Sequence, residues 1–285
     1  MRVLTAMFFV SVAGCATAPP PSSTPAQPSR EAVEAKLEKK LEVDPNRALC
    51  DRITQKFNAG DRDALVADFD SASFAERVFS WQTLPADVVT SVRDNADSIA
   101  NFKRFHFGDR VKFLCLGTRE FLGEPHVVLR NWEPSRFDYA LFHLTADGKI
   151  DDYMVASSGF YHSELQNVGF DPSVRADMDV VGTLLKMSFD QQFPQIIAKY
   201  KALSPRMQSH PVAFLHYINA AYFSQNPGDA DYDAAFQQME TILAGRTYAQ
   251  VYWRLADARR RQDAQAEAAQ RALLVEQLDD YELVY

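Results

Sequence analysis

Between Asp109 and Ser158 the apolar residues fall on every second position, in four short runs. They are "RVKFLCLGTREF", "PHVVLRNW", "FDYALFHLT" and "IDDYMVASS", parted at Gly123-Glu124, at a polar break over 133–136 and at "ADGK". A period of two is that of a strand whose faces meet different surroundings, and Asp147-Gly148 is a strong hairpin turn signal. Parallel pairing would need crossovers of a dozen residues or more, which these connections are too short to make. The runs therefore predict a four-stranded antiparallel meander, and its apolar face has to be covered by helices. The expected class is α+β, a curved meander packed with helices and followed by an all-α helical-hairpin region.

On either side of the meander the spacing becomes helical. In "RALCDRITQKF", Leu49, Cys50, Ile53 and Phe57 share one face, and the helix is expected to start at Pro45 or Asn46 and close at Ala59-Gly60. A short helix follows over "DRDALVADFD", then one over about 85–105 with Val88, Val89, Val92, Ile99 and Phe102 inside. After Gly159 no strand pattern returns. Helices are predicted over 161–168 and 174–203, the latter broken at Pro194, then over 211–224, 229–244, 247–262 and 263–280. Paired helices with short connections are the arrangement of helical-hairpin arrays.

The N-terminus is a different kind of segment. Arg2 precedes the apolar run Val3 to Val12, interrupted by Thr5 and Ser11, and then come Ala13 and Gly14. This is the layout of a secretory signal peptide, with an apolar run about half the ~20 residues that span a bilayer. Val12-Ala13-Gly14-Cys15 resembles the bacterial lipobox. The resemblance implies a thioether-linked diacylglycerol on Cys15 and, after cleavage, an acylated amine carrying a palmitate-type chain. Three acyl chains hold firmly, since two already suffice. Ala16 in place of aspartate implies the outer membrane, facing the periplasm, in a Gram-negative host. An ordinary signal peptide with an incidental Cys15 is the alternative. Pro19 to Ser29 holds five prolines and no large apolar side chain, which makes it a semi-extended tether. Residues 31–46, with "EAVEAKLEKKLEV" stopped by Asp44-Pro45, read as a charged lead-in helix with a thin apolar stripe. The expected organisation is signal peptide 1–14, lipidated tether and lead-in 15–45, an α+β domain 46–170 and a helical-repeat-like domain 171–285.

The chain carries a formal charge of −8, and removal of Arg2 with the signal peptide makes it −9. An acidic balance excludes nucleic acid as the main partner, because phosphate binding needs clustered Lys and Arg. The mature body has two cysteines, Cys50 on the first helix and Cys115 alternating with Val111 and Phe113 on a strand. Both point to a core. Two separate buried thiols are the favoured state, and a Cys50–Cys115 disulfide, allowed in an exported protein, is the alternative.

Residues 46–160, with "CDRITQKFNAGDRDALVADFD" before the sheet and "LTADGKIDDYMVASSGF" at its end, look like the nuclear-transport-factor-2-like cone fold. That resemblance implies a bent sheet and helix enclosing a pocket. The Asp/His or Tyr/Asp set of the fold's enzymes has no motif counterpart here. Residues 190–280 resemble degenerate tetratricopeptide repeats, with Tyr252, Leu255, Ala256 and Ala268 at signature positions and Ala220 standing 36 residues before Ala256. Generic helical hairpins are the alternative.

The sequence has no nucleophile elbow, Walker loop, zincin motif or dinucleotide glycine pattern. The six histidines show no metal-ligand spacing, so neither a metal site nor a cofactor is expected. If the sheet encloses a pocket, its candidate lining is His143, Tyr139, Asp152 and Tyr153. His143 shares a strand face with Tyr139, and Asp151-Asp152 with Glu164 could supply carboxylates. The plainer expectation is a hydrogen-bonded core histidine and two aspartates solvated at a hairpin end. In the tail, aromatics are too dense for one buried stripe, which marks Tyr217, Tyr248 and Trp253 as candidate anchors for an envelope protein or peptide. Arg259-Arg260-Arg261 reads as a solvated helix end or a contact for an acidic partner. The leading expectation is a lipid-anchored, non-enzymatic interaction module or scaffold, and the alternative a small-ligand binder, hydrolase or isomerase.

Overall fold

The computed structural model describes residues 44, 46–97, 112–121, 123–131, 138–170 and 178–278. The signal peptide, Cys15, the tether and most of the lead-in lie outside them, as do Ile99, Phe102, Val111, Trp132 and Phe137.

Among the described residues four helices precede the sheet: α1 (Arg47–Ala59), α2 (Arg62–Ala67), α3 (Ser71–Trp81) and α4 (Ala86–Asp94). The strands are β1 (Phe113–Phe121), β2 (Glu124–Asn131), β3 (Tyr139–Leu144) and β4 (Ile150–Val155), in one antiparallel sheet of order β1-β2-β3-β4. Eight helices among the described residues follow: α5 (His162–Phe170), α6 (Met178–Phe189), α7 (Phe193–Lys201), α8 (Pro205–Gln208), α9 (Pro211–Ser224), α10 (Ala230–Ile242), α11 (Thr247–Arg261) and α12 (Ala264–Leu278). The expected α+β class with a helical C-terminal region is what the chain adopts. Pro194 separates α6 from α7, entering the first turn of α7 where its missing N–H costs nothing. The sequence reading passes over α3, although Asp70 caps it through the Ser73 amide at 3.0 Å and Phe74, Ala75 and Val78 give it a buried face.

Alternation along the strands separates two cores. Phe113, Cys115, Val127, Leu129, Ala140, Phe142 and Tyr153 face α1 and α3, where Cys50, Ile53, Phe74 and Val78 meet them. Leu116, Val128, Tyr139, Leu141 and Met154 face the other way, against Val251 and Leu255 of α11 and Leu274 and Leu278 of α12. Each Val, Leu, Ile, Phe or Met among them contributes about 1.5–3 kcal/mol by leaving water, and the sheet is thereby buried on both faces. Gly159, after β4, makes that second contact possible. It holds φ +70°, and a Cβ there would lie 2.7 Å from Ala249 Cβ on α11.

Cys50 and Cys115 are joined as a disulfide that ties α1 to β1 across 65 residues of chain, where the sequence favours two separate thiols. Sharing a buried face says that two thiols enter one core; only the packing of α1 on β1 brings their Cα atoms to 5.8 Å, within bridging range.

Candidate functional site

At the end of the sheet where β2 and β4 begin and β3 stops, polar groups converge. Residues 68–70 lie beside the start of β4: Ile150 N–H donates to Asp68 O at 2.8 Å and Asp70 N–H to Ile150 O at 2.7 Å. This fixes the N-terminus of α3, so that Ser73, Arg77 and Trp81, spaced by four, present one face to the sheet end. The ladder places His126 directly opposite His143, and His143 opposite Asp152. It slips between His143 and Leu144, leaving Asp151 as an extra residue on β4, a bulge that re-aims its carboxylate.

Asp152 is fully buried and accepts from the Ser163 hydroxyl at 2.5 Å, Ser163 N–H at 3.2 Å, Tyr153 N–H at 2.8 Å and Arg77 Nε at 3.3 Å. It thus satisfies an otherwise orphaned amide in the first turn of α5. Asp151 accepts from the Ser73 hydroxyl at 2.9 Å and from His143 Nδ1. Arg77 closes the group outward, donating from both terminal nitrogens to Glu124 at 3.2 Å each, and lies over the Tyr161 ring at 5.3 Å. His143 Nε2 stands 3.5 Å from the same Glu124 carboxylate. His126 Nδ1 meets the Glu124 carbonyl at 2.9 Å; since a carbonyl only accepts, Nδ1 carries the proton and Nε2 accepts from the Tyr161 hydroxyl at 2.7 Å. Trp81 donates its indole N–H to Ser163 Oγ at 2.7 Å.

The electrostatics follow from burial and pairing. Burial pushes Asp152 up to about 6, opposed by the Ser163 hydroxyl and the charge of Arg77. Burial holds His126 down at about 4, outweighing its bond to the Glu124 carbonyl. For Arg77, burial works against the charge, but the bond to Glu124 and the charges of Asp152 and Asp151 prevail and keep it more firmly protonated than usual. Burial would raise Glu124, yet the Arg77 bond and charge hold its carboxyl below the ordinary range. Every carboxylate has a donor, so the cluster works as a clasp joining α3, the sheet and α5. Among the described residues, no group of three or more His, Cys, Asp or Glu side chains is placed to hold a metal ion.

The candidates of the sequence separate accordingly. His143 and Asp152 are brought together. Tyr139 faces the α11–α12 core, and Tyr153 lies on the opposite sheet face, stacked on His162 at 4.8 Å between ring centres. Asp151 and Asp152 are buried rather than solvated, because the bulge and α3 enclose the hairpin end. Glu164 pairs with Arg246, the residue just before α11, instead. Tyr217 and Trp253 are core residues, not surface anchors: Tyr217 stacks on Tyr200 at 4.2 Å, and Trp253 donates to Ser157 O at 2.8 Å. Tyr248 is half-buried, edge-on to Phe121 at 4.6 Å. Arg259 and Arg261 are taken up by Glu267, Asp257 and Asp233, and Arg260 by Gln225 O, so the basic run is largely neutralised within the chain.

Arg77, Glu124, His126 and Ser163 are absent from the candidates drawn from the sequence. The i, i+4 spacing of Ser73, Arg77 and Trp81 is the one signal that could have found part of it. Compared with known proteins, the chain matches no family model, no curated protein and no solved structure.

Proposed function

We propose that the protein is an envelope lipoprotein in which acylated Cys15 ties a folded body to a bilayer, and that this body is a non-enzymatic protein-interaction module or scaffold. The observation that carries the reading is Val12-Ala13-Gly14-Cys15 followed at once by a proline-rich leash. The disulfide fits export to an oxidising compartment. No helix among the described residues is long and apolar enough to cross a membrane, so a lipid anchor would have work to do. The cone-like reading of residues 46–160 goes with a scaffold because Phe74, Phe113, Leu129 and Phe142 fill the sheet face beneath α1 and α3. With Tyr217 and Trp253 internal, a partner would meet a mainly polar helical surface, with Leu273 of α12 and half-buried Tyr248 as its larger apolar contacts.

A second reading, a small-ligand binder, hydrolase or isomerase, draws on His143, whose Nδ1 is held by Asp151 so that Nε2 is turned toward the half-exposed Glu124 carboxylate. Intact-mass analysis of the membrane-purified chain tests the anchor: acyl mass on Cys15 is expected, and Cys15→Ala is expected to release the body from membranes. Crosslinking and pull-down with the native anchor test the role. An unacylated N-terminus overturns the anchor. Failure to recover an envelope partner overturns the scaffold.

A further inference from the structure

We propose that Arg77 and His143 form a carboxylate-binding site which Glu124 fills from within the chain, and that a ligand carrying a carboxylate on an apolar group displaces it. Two donors fork onto one carboxylate, Arg77 Nη1 and Nη2 at 3.2 Å each, and His143 Nε2 lies 3.5 Å from the same group. A two-pronged guanidinium contact is the geometry that recognises a carboxylate. The donors are held from behind, Arg77 Nε by Asp152 and His143 Nδ1 by Asp151, so the site does not need Glu124 to keep its shape. Preorganisation of this kind lowers the cost of taking up a ligand.

The occupant is the exposed member. The Glu124 side chain is 41% accessible, against 18% for Arg77, 9% for His143 and 0% for Asp152. Its backbone is fixed in the ladder opposite Phe121, so the side chain can swing aside while the sheet stays intact. Two carboxylates, Asp151 and Asp152, already lie behind one guanidinium, which disfavours a dianion such as phosphate and leaves a monoanion as the fitting charge. Trp81, one turn beyond Arg77 and 36% exposed, has its N–H engaged by Ser163 and offers apolar surface beside the fork. The ligand class is therefore an aryl or alkyl carboxylic acid, or the free C-terminus of a peptide, which present the same chemistry. This site rests neither on the anchor nor on a protein partner.

Calorimetric titration of the full chain in detergent, with benzoate, acetate, inorganic phosphate and a short acetylated peptide ending in phenylalanine as free acid or amide, tests it. A half-exposed ion pair of this type competes by about fivefold, so Glu124→Ala, and the volume-preserving Glu124→Gln, are expected to bind benzoate or the free-acid peptide about fivefold more tightly than the unsubstituted protein. Arg77→Lys in the Glu124→Ala background is expected to cancel the gain, and the amide to bind in no variant. Benzoate exceeding the peptide would assign small organic acids as the source, and the reverse a peptide terminus. Folded Glu124 variants that bind no more tightly than the parent, equal binding of acid and amide, or phosphate exceeding benzoate would overturn the proposal. None of these outcomes bears on membrane retention or crosslinking, so its failure stays separate from that of the scaffold.

Discussion

Reduction of the Cys50–Cys115 bridge gives the most direct measure of how α1 is held on the sheet. The bridge closes 65 residues of chain that contain α1 from Cys50 onward, α2 to α4 and the first residues of β1. Loop-closure entropy for that length is about 14.5 cal/mol/K, or about 4 kcal/mol at 25 °C, lost when the sulfurs part. Both sulfurs sit in the α1–β1 core, at 0% and 6% exposure, so reduction in place keeps their packing and isolates the cross-link. A Cys50→Ala/Cys115→Ala pair adds the cavity left by two buried sulfurs, about 1–2 kcal/mol more. With a urea slope of about 3 kcal/mol per M, the reduced protein is expected to unfold about 1.3 M earlier, followed by far-ultraviolet circular dichroism with and without reductant. Alkylation and mass analysis of protein exported by cells and never reduced should find neither Cys50 nor Cys115 modified. Two alkylated cysteines, or a midpoint shift below about 0.3 M, would refute the reasoning.

Two further perturbations probe the packing and the polar cluster. Gly159→Ala meets Ala249 Cβ at 2.7 Å and Arg246 Cβ at 3.0 Å in a left-handed conformation, while Gly148→Ala, at φ +77° with no atom within 4 Å, bears only the conformational penalty. The penalty of about 1 kcal/mol plus about 2 for the clash predicts a fall in Tm of roughly 6–12 °C for Gly159→Ala, against about 3 °C for Gly148→Ala, and equal shifts in calorimetry would reject the close approach to α11. Asp152 is an acid whose folded pKa stands at about 6, above its ordinary 3.8. The native state therefore holds a proton that the unfolded chain has released between pH 4 and 6, and this group's contribution to stability declines as pH rises through that window. Asp152→Asn removes the decline, so its stability relative to the parent should climb by about 2–3 kcal/mol from pH 4 to 6 in urea titrations; a difference that stays flat or falls would mean Asp152 is ionised throughout.

What the sequence conceals is concentrated at the sheet end. "DSASFAERVFSW" carries a capping aspartate and apolar residues at helical spacing, yet it is short and follows directly on another short helix, and with α3 unassigned Arg77 has no place. His126 and His143 are 17 residues apart, and nothing local tells that register sets them face to face with ring centres 5.2 Å apart. Asp151-Asp152 after a Gly-Lys turn looks solvated, and only the bulge together with α3 and α5 buries the pair. Aromatic density in the tail suggests surface anchors because one helix can bury one stripe. In α9, however, Val212 to Ile218 are all buried, since α6, α7 and α10 surround it, and Tyr217 is drawn into the core with them.

By itself the sequence determined what depends on neighbours within four residues: the four strands from their period of two, the hairpin at Asp147-Gly148, the helix break at Pro194 and the pairing of helices in the tail. Those features follow from backbone geometry and from the simple need for an apolar face, which short windows express. Tertiary structure alone decided the bridge between Cys50 and Cys115, the meeting of Arg77, Glu124, His143 and Asp151, and which aromatics lie inside. Each of these joins residues from elements remote in the chain, and their contact depends on strand register, a bulge and the packing of helices on both faces of one sheet.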